Sequence, residues 1–296
     1  MSDVSVIRVD SLTVRYGRTV AVDSANLQVS QGGVYALLGR NGAGKSSLVR
    51  CMVGQQKPQS GPVSLFGEDV WTHREKLMER VGIVPEEADA PPEMTVAQVV
   101  AFCGALYSRW NDAAVRDRLE RFAIRRDMKF GILSKGQKKQ VMLAIALAVA
   151  PELLVLDDPT LGLDVVARKS LFDEVITDLA DRGTSILITT HDLAGVESLA
   201  DRVGILKDGR LVLDEQMETL KSRFRRIRFA SAPVALASGN LLAAKVTQWG
   251  SGTEAVVSNF DDVAFERFRN TANVAEVAPM SLEEIFIAVA GEEARS

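Results

Sequence analysis

An α/β fold with a parallel-sheet core is what this sequence predicts, joined by an antiparallel β-subdomain, a helical subdomain and a small C-terminal α+β appendage. Three observations carry that expectation. Apolar runs at residues 34–38, 153–156 and 186–188 alternate with stretches of helical periodicity. Runs of that kind suit strands buried on both faces. Each run ends in Gly-rich or polar residues, so ligand chemistry belongs outside the carboxyl ends of the strands. Two outlying regions break the pattern, an alternating stretch over residues 4–29 and a smaller alternation of strand-like and helix-like segments past about residue 220.

In chain order, residues 4–9, 12–16 and 25–29 read as strands, the last closed by the turn Gln31-Gly32-Gly33. The run at 34–38 then opens directly into Gly39-Arg40-Asn41-Gly42-Ala43-Gly44-Lys45-Ser46, with Ser47 behind it. This matches the phosphate-loop pattern G-x-x-x-x-G-K-[ST] at every required position. Glycines at 42 and 44 can take positive φ and let backbone N–H groups close around phosphate oxygens. Lys45 supplies a compact cation for the β- and γ-phosphates, and the Ser46 hydroxyl is placed to ligate Mg²⁺. A helix expected over residues 46–52 aims its positive end at the same anion. The loop therefore predicts a P-loop NTPase core that binds a nucleoside triphosphate.

Residues 62–67 form a short strand and turn, and residues 81–84 another strand that ends at Pro85-Glu86-Glu87. From Thr95 to about Ile124 the apolar residues follow helical spacing, with Asp112 expected as a helix N-cap. Residues 87–150 thus read as a helical subdomain. Leu133-Ser134-Lys135-Gly136-Gln137 precedes an apolar helix expected over 138–149, and residues 153–156 deliver Asp157 and Asp158 at a strand end. A helix over 165–181, with Leu171, Val175 and Leu179 on one face, leads to the strand 185–189 and then His191. A helix at 193–199 and a hairpin turning at Lys207-Asp208-Gly209 complete a domain over 1–220.

Residues 221–296 read as a separate accessory domain. It begins with a basic run, Lys221, Arg223, Arg225, Arg226 and Arg228, read as a solvated linker face, with contact to a partner or lipid headgroups as the alternative and a spacing that also suits a strand. Ser231-Ala232-Pro233 follows, then strands at 242–248 and 253–259, a helix at 261–270, a strand at 273–278 and a last helix at 281–290.

Composition narrows the function class. The 296 residues are 47% hydrophobic and 25% charged with a net charge of −4, ordinary for a globular protein and without a basic field for nucleic acid. Two cysteines, Cys51 and Cys103, do not make a disulfide framework and are expected as buried thiols in a reducing cytosol. Residues 1–4 lack a secretory leader, and the longest apolar run, 141–150, is too short to span a bilayer. With only His73 and His191 present, a site built of several histidines is ruled out.

The residues around the phosphate loop form an ordered set. Asp157 suits a carboxylate that holds Mg²⁺, and Asp158 one that orients or deprotonates an attacking water. Ser134 and Gly136 stand at a helix N-terminus, an anion-friendly place. His191 is placed to contact a γ-phosphate. Tyr16, at a loop edge, reads on its own as a half-buried packing residue. Over residues 4–215 this set resembles the ATP-binding subunit of an ABC transporter, and the tail ending in residues 280–286 resembles more weakly the extension of ATPases paired with ABC-2-type exporter permeases. The resemblance identifies residues 39–46 as the Walker A, 133–137 as the signature usually written L-S-G-G-Q, Asp157 as the Walker-B aspartate, 161–164 as the D-loop and His191 as the switch histidine. It makes Tyr16 the aromatic that stacks on adenine.

The resemblance further implies a head-to-tail dimer, homomeric or heteromeric, with each ATP held between the Walker A of one subunit and Ser134, Lys135, Gly136 and Gln137 of the other. It implies a separate integral membrane permease as partner, a cytoplasmic location at the inner face of the membrane, and no nucleic-acid partner. Three positions depart from the family. Asp158 stands where a catalytic Glu is usual, Glu86 where a Gln reaches Mg²⁺ and water, and Lys135 where the signature has Gly. An Asp is one methylene shorter than Glu, and a misplacement of about 1 Å can cost ~10²-fold in rate. The expectation is a transport ATPase that is slow but active. The alternatives are a soluble ABC-type ATPase acting on ribosomes or nucleic acid, and a nucleotide-gated regulatory subunit that hydrolyses poorly.

Overall fold

The computed structural model describes residues 5–230, 241–250, 252–269 and 274–291. The expectations for residues 1–4, for the Leu179 side chain, for Ser231-Ala232-Pro233 and for Asn273 lie outside what is described. The chain divides into two compact units, Met1–Leu211 and Val212–Ser296.

In the first unit, β1 (Ser5–Tyr16) and β2 (Thr19–Ser30) pair antiparallel as one long ribbon rather than as separate short strands. Register shifts between Val9 and Leu12 and between Leu12 and Val14 break the alternation, and Ser11 takes φ 46 there. A bulge flips the side-chain phase, so one bulged strand reads as two in the sequence. The ribbon buries Ile7, Val9, Leu12 and Val14 with Val22, Leu27 and Val29 against the first helix. Strand β3 (Val34–Gly39) is buried along its whole length and feeds α1 (Lys45–Met52). Next come β4 (Val63–Leu65) and β5 (Glu68–Asp69), which widen the ribbon in the order β2-β1-β4-β5, then α2 (Arg74–Met78) and β6 (Val81–Val84). At two and five residues, β5 and α2 are too short to leave a period in the sequence.

The helical insert holds α3 (Val96–Gly104) and α4 (Asp112–Arg121). Its second cap is Asn111 rather than Asp112, because the Asn111 side chain accepts the Ala114 N–H at 3.0 Å. Helix α5 (Lys135–Ala148) starts earlier than residue 138. Ser134 caps it, accepting the Gln137 N–H at 3.2 Å while the Gln137 side chain accepts the Ser134 N–H at 3.0 Å. This reciprocal box uses the polar residues that look like a loop in the sequence. Strand β7 (Leu153–Asp157), α6 (Val165–Arg182), β8 (Ser185–Thr189), α7 (Leu193–Glu197), β9 (Arg202–Lys207) and β10 (Arg210–Gln216) follow. Of the two cysteines, Cys51 is buried, and burial pushes its thiol up to about 11. Cys103 is only half-buried, because its short helix lies at the surface of the insert.

The central sheet has the order β10-β9-β3-β8-β7-β6, and its strands from β9 to β6 run parallel. Register fixes what meets at their carboxyl ends. Thr189 lies opposite both Leu37 and Asp157, and Val84 lies opposite Leu156. The segments leaving β3, β6, β7 and β8 are therefore neighbours at one rim of the sheet.

The second unit adds α8 (Met217–Arg223), β11 (Arg225–Phe229), β12 (Ala243–Trp249), β13 (Gly252–Val257), α9 (Asp262–Arg269), β14 (Val274–Pro279) and α10 (Leu282–Ala290). Its antiparallel sheet has the order β12-β13-β11-β14. The basic run is not a linker face. It closes a helix and forms an inner strand, with Ile227 and Phe229 buried on one side. Arg228 sits opposite Glu254 and Glu276 on the two neighbouring strands and donates to both, at 2.8 and 2.7 Å. Opposite charges placed across a ladder support that pairing.

Helix α10 is tied down by a box in which Ser281 and Glu284 cap each other. The Ser281 N–H, the nearby Arg226 and the Ser281 hydroxyl hold the Glu284 carboxyl below its ordinary value. A lowered carboxyl pKa stabilises the fold above the unfolded-state value, and the benefit is lost as pH falls through the folded-state value. Ser281→Ala should cost about 1 kcal/mol, read as faster hydrogen exchange in α10. Wild-type α10 should lose protection on acidification below the ordinary carboxyl range, and Glu284→Gln should lose less.

Candidate active site

The rim described above gathers the chemistry. Between β3 and α1, the loop turns through Gly42 at φ 81 and Gly44 at φ 106, where α1 begins. A Cβ on Gly44 would lie 2.1 Å from the Ala21 carbonyl oxygen, and one on Gly39 would lie 2.7 Å from that of Leu206, so close backbone approach demands glycine at both. The loop is internally braced. The Ala43 N–H donates to the Arg40 carbonyl at 3.1 Å, and the Ala43 carbonyl accepts the Gly209 N–H at 3.1 Å. Lys45 is buried and its Nζ donates to the Gly39 and Arg40 carbonyls at 2.6 and 3.3 Å. Burial lowers the Lys45 pKa, and Asp158, Asp157 and Glu86 pull it back up.

A cavity of about 350 Å³ opens over this loop. It is lined by Asn41, Gly42, Gly44, Lys45, Ser46 and Ser47 of the loop and helix start and by Glu86, Asp157, Asp158, Thr189 and His191, together with Ala21 and Leu161. Asp157 accepts the Thr189 hydroxyl at 2.6 Å. Burial raises its carboxyl pKa, against the opposing effect of that hydrogen bond. Asp158 is only 4% exposed and takes φ 44. Its Oδ2 lies 3.3 Å from His191 Nε2, and its Oδ1 is buried without a hydrogen-bond partner. Burial pushes the Asp158 carboxyl up, while His191, Lys139 and Lys45 act in the other direction.

Oxygen donors for a divalent cation meet here. Ser46 Oγ donates to Glu86 Oε2 at 3.4 Å, and both line the cavity with Asp157. Among the described residues no group of three or more His, Cys, Asp or Glu side chains is set to hold a metal. Magnesium commonly keeps several waters and takes one or two carboxylates plus substrate phosphates, so a hydroxyl and two carboxylates beside a phosphate loop fit it.

Not every expected residue is in this cavity. Ser134, Lys135, Gly136 and Gln137 line a second, wider one of about 620 Å³, beside Gly162 and Asp164 of the same chain. A Cβ on Gly136 would meet Leu163 at 3.4 Å, and one on Gly162 would meet the Lys135 stem at 3.3 Å, so this segment packs against residues 161–164. Tyr16 stands beside the loop, 47% exposed, its hydroxyl 3.2 Å from Ser47 Oγ and donating to Gln56 at 2.6 Å. Two residues that motif reading passed over belong to the cluster. Thr189 bridges Asp157 and Asp158, accepting the Asp158 N–H at both its carbonyl and its hydroxyl at 3.0 Å. Lys139, 3% exposed, donates to the Asp158 carbonyl at 2.6 Å.

A parallel sheet whose inner strand empties through a glycine loop into a helix, with paired aspartates at a nearby strand end, defines a P-loop nucleoside triphosphatase. The ABC transporter family profile matches residues 22–161. The chain is 33% identical over 224 residues to the bacitracin transport ATP-binding protein BcrA of Bacillus licheniformis, covering 75% of this chain and 73% of that one. It is 29% identical over 309 residues to the daunorubicin/doxorubicin resistance ATP-binding protein DrrA of Streptomyces peucetius, covering 97% and 93%. A solved ATP-binding subunit of an ABC transporter superimposes with a TM-score of 0.67 at 27% identity, over 74% of this chain and 92% of that one. The chain belongs to the ABC transporter family, as one of its ATP-binding, ATPase subunits.

Proposed function

We propose that this chain hydrolyses ATP with Mg²⁺ to power a membrane exporter, as a dimer of ATPase subunits held at the inner face of the membrane by a separate integral permease. The observation that carries the reading is the convergence of Lys45, Ser46, Glu86, Asp157, Asp158 and His191 on one cavity over the phosphate loop. Relatives described for bacitracin transport, for Nod factor export at 37% identity over 205 residues, and for daunorubicin/doxorubicin resistance support the exporter assignment. No helix among the described residues is long and apolar enough to cross a membrane.

In this reading the loop N–H groups and Lys45 hold the β- and γ-phosphates, and Tyr16 stacks on adenine. Ser46, Asp157 and Glu86 hold the metal, which when bound offsets the negative charge of the phosphate oxygens. Asp158 accepts the proton of a water that attacks the γ-phosphorus, the bond to the β-phosphate oxygen breaks, and ADP leaves. His191, in contact with Asp158 Oδ2, orients that carboxylate. Ser134, Lys135, Gly136 and Gln137 complete the site of the other subunit. Their position in a separate cavity suits that division of labour.

A second reading, a subunit that closes on ATP but hydrolyses little, is favoured by one observation. The Asp158 side chain is only 4% exposed, with Oδ2 turned to His191 and Oδ1 buried, so little of the carboxylate is open to an attacking water. Steady-state turnover of the purified chain separates the two. Tagged chain should also co-purify from detergent extracts with a polytopic membrane protein. Salt-sensitive retention on RNA or DNA, with no membrane protein recovered, would sink the exporter reading.

A further inference from the structure

Lys139 lies in α5 two residues past the 133–137 segment, and its side chain is almost wholly buried. An ammonium group in such a place needs partners of opposite charge or strong acceptors. It has them. Nζ donates to the Asp158 carbonyl at 2.6 Å, and the carboxylates of Asp158, Glu86 and Asp157 all raise its pKa against the lowering by burial.

The peptide it holds is unusual. Asp158 takes the left-handed conformation, φ 44, which residues other than glycine adopt only at an energetic cost. Such a conformation persists only where its surroundings over-determine it. The Asp158 N–H is fixed by the carbonyl and the hydroxyl of Thr189, and the Asp158 carbonyl by Lys139 and by the Leu161 N–H at 3.2 Å. Gripped at both ends, the residue turns one carboxylate oxygen to His191 and keeps the other buried and unpartnered beside the phosphate loop.

We propose that Lys139 is a positioning residue for ATP hydrolysis: by holding the Asp158 carbonyl it keeps the left-handed backbone that aims the Asp158 carboxylate. This rests on the reading of Asp158 as the base. Lys139 itself acts through Asp158, and its charge also offsets a site in which Glu86, Asp157 and Asp158 face Lys45 and the half-exposed His191.

The test compares Lys139→Met, similar in reach but without a donor, with Lys139→Gln, a neutral donor, in the full-length chain. Lys139→Met should lower kcat by roughly 10- to 100-fold, the loss expected of a base displaced by about 1 Å. The KM for ATP, and ATP affinity measured without metal, should change by less than about 3-fold. Amide exchange over residues 155–161 should speed up in Lys139→Met and less so in Lys139→Gln, a readout independent of turnover. In an Asp158→Asn background Lys139→Met should add less than about 2-fold, because residues acting as a unit are not additive. A kcat loss that multiplies fully onto Asp158→Asn, or wild-type exchange over 155–161 in Lys139→Met, would overturn the proposal. If Asp158→Asn alone leaves hydrolysis intact, the base reading fails instead, and the exchange result still decides whether Lys139 holds the Asp158 backbone.

Discussion

Gly44→Ala should abolish ATP binding by the full chain, whereas Gly42→Ala two residues away should only weaken it. Both glycines take positive φ, 106 and 81, so alanine at either is strained by about 1–2 kcal/mol. Space separates them. At Gly42 nothing lies within 4 Å of an added Cβ, while at Gly44 the Ala21 carbonyl oxygen lies at 2.1 Å and its carbon at 3.2 Å. Ala21 is held in β2, so relief of the clash has to come from the loop. Moving Gly44 moves the start of α1, and with it Lys45, Ser46 and Ser47, which line the cavity proposed to hold the phosphates. Calorimetric titration with ATP should show at least about a 100-fold loss for Gly44→Ala, since several charge-assisted donors are displaced together. Thermal unfolding of the same sample checks that the chain is folded. Binding within about 10-fold of wild type would mean that the loop tolerates a shift the geometry forbids.

That loop was legible from the sequence because its chemistry is local, with glycines, lysine and hydroxyl following one strand in eight residues. The rest of the cluster was legible only as an ordered list. What brings Asp157 and the approach to His191 beside Leu37 is the pairing of Thr189 with both neighbouring strands, and register is a property of the sheet, not of any one segment. Lys139 carries no motif signal, because a lysine in the first turn of the helix expected over 138–149 is ordinarily solvated. The available signal was its place on the stripe with Leu143 and Ala146, four and seven residues on, which are both buried. The Arg225–Phe229 strand was obscured in the same way. Its arginines read as solvated until Glu254 and Glu276 are placed opposite Arg228. Cap positions slipped by a residue or more where polar side chains serve the backbone, as at Asn111 and Ser134.

Asp158→Asn should slow hydrolysis by about 10²- to 10⁴-fold, the usual contribution of a positioned general base, while ATP affinity stays near wild type. The same change should raise stability at neutral pH. Burial holds the Asp158 carboxyl pKa above its ordinary value of 3.8, with His191, Lys139 and Lys45 opposing and Glu86 reinforcing. A raised folded-state pKa means that the folded chain keeps this proton to higher pH than the unfolded chain does. Stability therefore falls as pH rises from the unfolded-state value through the folded-state value, and above that range the ionised side chain is a standing cost. Asparagine cannot ionise, so its Tm should exceed that of wild type at pH 7, and the gain should shrink as pH approaches 3.8. The two readouts together identify the role. A side chain kept for architecture would lower Tm when replaced, whereas a base held in a dry site for chemistry gives up rate and gains stability. Slow turnover with a lowered Tm would assign Asp158 to the scaffold, and unchanged turnover would remove it from the chemistry altogether.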